Sequence, residues 1–247
     1  MLINQKALLF PKRDMPGSMQ MAMDLMMLEK TRMQSNISFA LRFYTWEGCW
    51  LSIGKNQKIL PRHWLELVKE RKLKIVRRPS GGKAVLHSGG LTYSLVWLSP
   101  PRKKHEAYYQ ASQWLIKGFS SLGLNLKFGV QSSSQEEGNC FASSTLSDLV
   151  DPEGIKRIGS AQFWDKGNLL QHGEIVLNPP KKLWLDLFKT KAPKAATNSI
   201  PRKNLDQKLY QACLNFWPQF EWEQADFTKK EFDQISKSSE KFLLASY

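Results

Sequence analysis

Two arginines close the apolar segment Leu73–Val76, a Ser80-Gly81-Gly82 turn follows, and a second apolar segment runs from Ala84 to His87. No other stretch restricts the fold so tightly. Neighbouring glycines admit backbone conformations and close approaches that a Cβ would block, so the chain must bend sharply here between two extended segments. The same glycines let backbone N–H groups reach an anionic or carbonyl ligand, and Arg77 and Arg78 place fixed charge beside them. Phosphate loops, adenylate sites and plain hairpins share this appearance, and the stretch by itself does not choose among them.

Apolar periodicity lays out a mixed series of elements around that turn. Ser18 is placed to N-cap a helix over Met19–Met33, whose apolar positions cover nearly the whole circumference and predict deep burial. Seven of the eight methionines fall between Met15 and Met33, which reads as flexible core filler rather than an adaptable binding face. Strands are predicted over Ile37–Trp46, Trp50–Ile53, Leu73–Arg78, Ala84–His87, Leu91–Leu98, Asn125–Phe128, Leu149–Val150, Ile155–Ala161 and Asn168–Leu177. Helices are predicted over Arg62–Arg71, Lys104–Leu122, Lys181–Phe188 and Leu205–Phe216, and Thr228 and Glu231 have capping-box spacing for a last one. The polar run Gln131–Asn139 reads as a loop. Strands and helices mix without strict βαβ alternation, which predicts an α/β or α+β fold on a mixed sheet. Residues 1–189 are read as one domain, the basic segment 190–203 as a linker, and 204–247 as a short helical extension.

Beyond the turn run Lys156-Arg157-Ile158-Gly159-Ser160-Ala161-Gln162 and then Leu170-Gln171-His172-Gly173-Glu174-Ile175. Taken in order, RRPSGGKAVLH…LTYSLV and KRIGSAQ…LLQHGEIVL resemble the biotin/lipoate protein ligase and lipoyl-transferase family. The stretch MAMDLMMLEK…LRFYTWEGCWLSIGKNQ resembles that family's opening helix and first hairpin, so the likeness runs from about Met19 to about Asn178. It implies a central mixed β-sheet flanked by helices, like the class II synthetase and biotin-ligase catalytic domain, with 1–189 as that domain. It also implies a site. Arg77, Arg78, Ser80, Gly81 and Gly82 would hold an acyl carboxyl or acyl adenylate. Lys156 would touch the acyl carbonyl, Gly159, Ser160 and Ala161 would line the substrate, and His87 and His172 would shape the pocket or bond the substrate.

Cys140, in Asn139-Cys140-Phe141-Ala142, bears on which branch of the family applies. A lone buried cysteine is most often an inert small hydrophobe. In the octanoyltransferases of the family, however, a nucleophilic cysteine stands here in a C-F-x-x-S pattern that ATP-dependent ligases usually lack. A thiolate beside a lysine ammonium has a lowered pKa and is the attacking species. The resemblance therefore implies catalytic Cys140 and Lys156 in an acyltransferase that uses no cofactor. It would move an octanoyl group from acyl carrier protein to the lysine of a lipoyl domain, in a 2-oxoacid dehydrogenase or the glycine cleavage H protein. One rival is an ATP-dependent lipoate ligase that proceeds through an acyl-AMP with Mg²⁺. The other is a non-catalytic module for an acyl ligand or nucleic acid. Two departures from the family pattern stand out: Gly89-Gly90 where an acidic residue often precedes Leu91, and Glu174 where Ser or Thr often follows His-Gly. A glutamate there would pair with Lys156 or repel an anionic substrate.

Cysteine and charge usage narrow the setting. Cys49, Cys140 and Cys213 are three, widely spaced and without C-x-x-C, which argues against a disulfide framework and for a reducing cytoplasm. Cys49 and Cys213 sit in core-like patterns. No histidine pair has ligand spacing, so no metal is expected. No run approaches the roughly 20 apolar residues of a membrane span, and the N-terminal stretch lacks signal-peptide features. A cytoplasmic monomer is the expectation. Residues 55–104 hold 13 Lys/Arg against Glu66 and Glu70, within a net charge of +14. Such a surface suits acidic partners, carrier domains or nucleic acid. No RNA or DNA motif is present, and the tryptophans are not interleaved with Lys/Arg.

Overall fold

The computed structural model describes residues 5–129, 148–196, 200 and 203–246. In chain order the elements are β1 (Gln5–Met15), α1 (Gly17–Arg32), β2 (Ile37–Trp46), β3 (Trp50–Ile53), α2 (Arg62–Lys69), β4 (Lys74–Arg77), β5 (Val85–His87), β6 (Leu91–Trp97) and α3 (Lys104–Ser121). There follow β7 (Lys127–Phe128), β8 (Leu149–Val150), β9 (Lys156–Asp165), β10 (Asn168–Ile175), α4 (Lys181–Phe188), α5 (Leu205–Phe216), β11 (Phe220–Gln224), α6 (Lys229–Ser239) and β12 (Leu243–Ala245). Eight strands form the main sheet in the order β11-β1-β2-β6-β10-β9-β8-β7, and four form a smaller one, β12-β4-β3-β5. The main sheet is mixed: β1 runs parallel to β11 and β2, while β2, β6, β10 and β9 are antiparallel in turn.

The two-residue period of the strands assigns each face its helices. Phe39, Leu41 and Phe43 of β2 join Tyr93 and Leu95 of β6 against Trp114 and Leu115 of α3 and Leu209 and Cys213 of α5. Ala40 and Tyr44 point the other way, with Val96 and Leu170, against Met21, Met23, Met27 and Leu28 of α1 and Ile235 of α6. A third cluster packs Leu51, Ile53, Ile75 and Leu86 of the small sheet on Trp64 and Leu67 of α2 and Trp184 and Leu187 of α4. The methionine-rich helix is thus core, as its circumference predicts.

Several local expectations change. Ser18 lies inside α1; the helix starts after Pro16, which makes no side-chain cap. Its first residue, Gly17, lies against two indoles, and a Cβ there would sit 2.5 Å from a ring atom of Trp46. The helix is positioned by that contact rather than by a serine cap. The segments flanking the Ser-Gly-Gly turn do not pair as a hairpin, because β3 lies between β4 and β5. The turn crosses over the end of β3, where a Cβ on Gly54 would be 2.0 Å from the carbonyl oxygen of Gly82. Residues 204–247 contain the two expected helices, and Thr228 and Glu231 form both capping-box bonds. They also contain two strands that the sequence reading missed: β11 extends the main sheet beside β1, and β12 pairs with β4. The described part of 190–203 is packed, with Arg157 Nη1 donating to the Lys194 carbonyl at 2.5 Å and Ala196 N to that of Leu177 at 2.7 Å.

Candidate active site

The glycine turn, β9, β10 and α1 surround a cleft with about 420 Å³ of free space, part of it open to solvent. Its apolar lining is Met21, Tyr44, Trp46 and Val85, and Gly82, Gly159, Ser160, Ala161 and Gly173 also line it. Gly173 keeps the floor thin, since a Cβ there would meet the Tyr93 ring at 2.6 Å and Ser160 Oγ at 2.7 Å. Ser52, Arg78, His87, Thr92, His172 and Glu174 supply the polar lining. Ser160 Oγ and the Tyr93 hydroxyl are 2.8 Å apart, and burial pushes the Tyr93 phenol up to about 12, so it remains a hydroxyl at neutral pH.

Both arginines of the turn hold backbone. Arg77 Nη1 donates to the carbonyls of Gly54, Lys55 and Gln57. Arg78 is buried, and all five of its N–H donors meet protein acceptors: Gly81 O twice, Lys83 O, Ser52 O and Ser52 Oγ. These bonds fix the shape of the turn, and Arg78 also lines the cleft. The Gly81 carbonyl is one of their acceptors, and Gly82, at φ +95°, turns the chain into the cleft.

Two hydrogen-bonded chains run through histidines. In the first, Asp24 of α1 takes Arg42 Nε at 3.0 Å and Nη2 at 2.7 Å on one oxygen, and the Tyr44 hydroxyl at 3.1 Å on the other. His172 Nδ1 donates to that second oxygen at 2.8 Å, and its Nε2 lies 2.5 Å from Ser80 Oγ. Burial alone would raise the Asp24 carboxyl; the Arg42 charge and the His172 hydrogen bond outweigh it and hold Asp24 below the usual carboxylate range. In the second chain, Arg78 donates to Ser52 Oγ at 3.2 Å, which leaves the Ser52 proton for His87 Nε2 at 2.8 Å. That sets the tautomer: His87 Nδ1–H faces Glu174 Oε2 at 2.8 Å. Thr92 Oγ1 donates to the same oxygen at 2.5 Å and accepts Trp46 Nε1 at 2.8 Å, and the Trp46 ring stacks on His87 with centroids 3.8 Å apart. Burial pushes the His87 imidazole below its usual range, against the pull of Glu174.

Lys156 opens β9, is buried, and forms an ion pair with Asp148 at 2.9 Å. The cleft lining takes its neighbours Gly159, Ser160 and Ala161 rather than Lys156 itself. Glu174, a candidate partner for it by sequence, bonds to His87 and Thr92. Cys140 lies outside the described residues. Cys213 is fully buried and its thiol is pushed well up by burial; Cys49 is partly buried, with Sγ 3.3 Å from Ser88 Oγ. Among the described residues no cluster of three His, Cys, Asp or Glu side chains is arranged to hold a metal ion. Sequence reasoning missed Asp24, Arg42, Tyr44, Trp46, Ser52 and Thr92. Arg42 could have been found, as the lone charge in the apolar strand ISFALRFYTW; Asp24 is likewise the lone acid in the middle of a methionine helix. Chemically, the cleft offers an apolar trough with hydroxyls and imidazoles at fixed orientation, which suits an acyl chain.

The chain matches the family model described as the lipoyl protein ligase A/B catalytic domain over residues 16–208. An octanoyltransferase LipM of Geobacillus kaustophilus is 38% identical over 186 residues, covering 70% of this chain and 66% of that protein. The chain thus spans just under two thirds of that relative. An octanoyltransferase LipM of Staphylococcus epidermidis is 30% identical over 251 residues, covering 90% of both. Among solved structures, lipoate-protein ligase A bound with ATP superposes with a TM-score of 0.76 at 18% identity, covering 96% of this chain and 95% of that one. A bi-partite lipoate protein ligase from Thermoplasma acidophilum, studied with its E2 lipoyl domain, gives 0.73 at 19% identity, covering 96% and 92%. At such identities the structural likeness speaks for the fold. No helix among the described residues is long and apolar enough to cross a membrane.

Proposed function

The chain belongs to the lipoyl protein ligase A/B catalytic-domain family, and from that premise we propose that it is an octanoyltransferase of protein lipoylation. The observation that carries this reading is its likeness to relatives named octanoyltransferase, 30% identical across 90% of both chains in one case and 38% in another. In the proposed reaction the Cys140 thiolate attacks the thioester carbonyl of an octanoyl acyl carrier protein. The tetrahedral adduct collapses, the carrier thiolate leaves, and the octanoyl group remains on Cys140 as a thioester. The neutral amine of a lipoyl-domain lysine then attacks that thioester; the amide forms, the Cys140 thiolate is released, and the amine proton passes to solvent. Thioester exchange is nearly balanced and amide formation runs downhill, so no nucleotide or other cofactor is consumed.

Lys156 is proposed to stabilise the developing oxyanion, with Asp148 fixing the position of its ammonium. The cleft holds the chain of the acyl group. The proposed acceptors are lipoyl domains of 2-oxoacid dehydrogenases or the glycine cleavage H protein, and the proposed setting is the cytoplasm. The basic stretch 55–104 is proposed to meet these acidic partners.

Intact mass spectrometry after mixing with octanoyl carrier protein, without ATP or Mg²⁺, tests the reading. One octanoyl group is expected on the wild type, none on Cys140→Ala, and retention on Cys49→Ser and Cys213→Ser. Lys156→Ala is expected to slow transfer about 100- to 1,000-fold. Octanoylation that requires free octanoate and ATP, with release of pyrophosphate, would replace the transferase with the ligase.

A further inference from the structure

Glu174 is unlike the other charged groups around the cleft. It is buried at 3% exposure and lines the cleft, yet among the described residues its carboxylate is met only by the Thr92 hydroxyl and the His87 imidazole. Burial keeps that imidazole from protonating readily, so no cation touches the carboxylate there. Its place is made by Gly90: a Cβ at that position would lie 2.0 Å from Glu174 Oε1. The glycine and the glutamate, two separate departures in the sequence, are one arrangement in space. Meanwhile the N–H donors of Arg78 are all directed to protein acceptors, so the cleft presents a negative charge without a guanidinium fork to receive a carboxylate or phosphate.

We infer that Glu174 is a specificity determinant: its carboxylate makes the cleft select uncharged acyl groups, as in thioesters, over free carboxylates and acyl phosphates. The inference rests on the reading of the cleft as an acyl site. Burying an anion beside a like charge costs more than burying an amide or ester of the same shape. A like charge at about 9 Å, at an effective dielectric near 20, weakens an anion's binding roughly 20-fold. The charge of Arg78 is common to wild type and variant, so a change at Glu174 alone isolates its carboxylate.

Titration calorimetry at pH 7 with octanoate and with octanamide, without turnover, tests this. Octanamide is expected to bind the wild type more tightly. Glu174→Gln is expected to shift the ratio of the two affinities toward octanoate by about tenfold or more. The ratio is the readout, so a general loss of affinity cancels. Glu174→Ser provides a second neutral variant, and the wild-type ratio decides alone if neither variant folds. Octanoate binding the wild type as tightly as octanamide, or an unmoved ratio in a folded neutral variant, overturns the inference while leaving the acyl site intact. If neither compound binds the wild type, the acyl reading of the cleft fails as well.

Discussion

His172 and Glu174 stand two residues apart on the same face of β10, and each belongs to a histidine–carboxylate pair with Nδ1 2.8 Å from oxygen. The pairs differ in what else touches the acid. Asp24, the partner of His172, is braced by two N–H groups of Arg42, which is itself only 1% exposed and also holds Gln20 through its side-chain and backbone oxygens. Glu174, the partner of His87, has hydroxyl and imidazole donors alone among the described residues. A directly compensated carboxylate has little field left beyond its own pair, and its work is to tie α1 to β2 and β10. A carboxylate held only by neutral donors keeps its field, and that field falls on whatever enters the cleft. Geometry that looks equivalent at the histidine thus separates into a brace and a filter.

The largest expected difference lies in stability. Asp24→Asn leaves the Arg42 guanidinium buried without its counter-charge, and removing one member of such a pair costs about 3–5 kcal/mol. Glu174→Gln removes a charge that has no buried cation in contact among the described residues, and the expected cost is under about 2 kcal/mol, the loss of charge-assisted hydrogen bonds. Urea denaturation measures both. Equal costs would erase the distinction between brace and filter. A smaller effect sharpens it. Gly90→Ala places a methyl against Glu174 Oε1 at 2.0 Å and the Ile175 carbonyl oxygen at 2.7 Å, which is expected to destabilise by about 1–3 kcal/mol. Combining it with Glu174→Ser removes the first clash and leaves the second. The double-mutant cycle should therefore show a coupling of at least about 0.5 kcal/mol, and additive costs would show that the two positions are independent.

The fold was largely legible because its strands and helices follow apolar periods over long stretches: β2, β3, α4 and α5 match their expected bounds to the residue. What stayed hidden depends on long-range pairing. The segment FEWEQ of β11 alternates weakly and becomes a strand only because β1 lies beside it. The site shows the same division. Glycine turns and the residues Gly159 to Ala161 announce themselves by local chemistry, whereas Asp24 and Arg42 each look like a lapse in an apolar pattern until the fold brings them together. The arginines beside the turn mark a further limit: sequence counts donors, and only structure tells which oxygens of their own chain Arg77 and Arg78 reach.

The smallest expected effect is a pH slope that separates the two pairs. His87 has its folded pKa below the ordinary imidazole value of about 6.5, chiefly through burial, so the unfolded chain takes up a proton that the folded chain resists. The sign follows from linkage: where the unfolded state binds more protons, stability rises with pH. The contribution of His87 is therefore complete above about 6.5 and is lost progressively as pH falls from there toward its folded pKa, at no more than about 1.4 kcal/mol per pH unit. Asp24 also has a depressed folded pKa, but relative to an ordinary carboxyl value of about 3.8. Its contribution is full above that value and is lost only as pH falls below it, through the folded pKa. Unfolding free energies from urea titrations between pH 7.5 and 5 should thus decline in the wild type, and the decline should shrink in His87→Gln. In that window Asp24→Asn should lie lower throughout. A His87→Gln curve parallel to the wild type would mean that burial does not hold this imidazole neutral, and that Glu174 has a cation beside it after all.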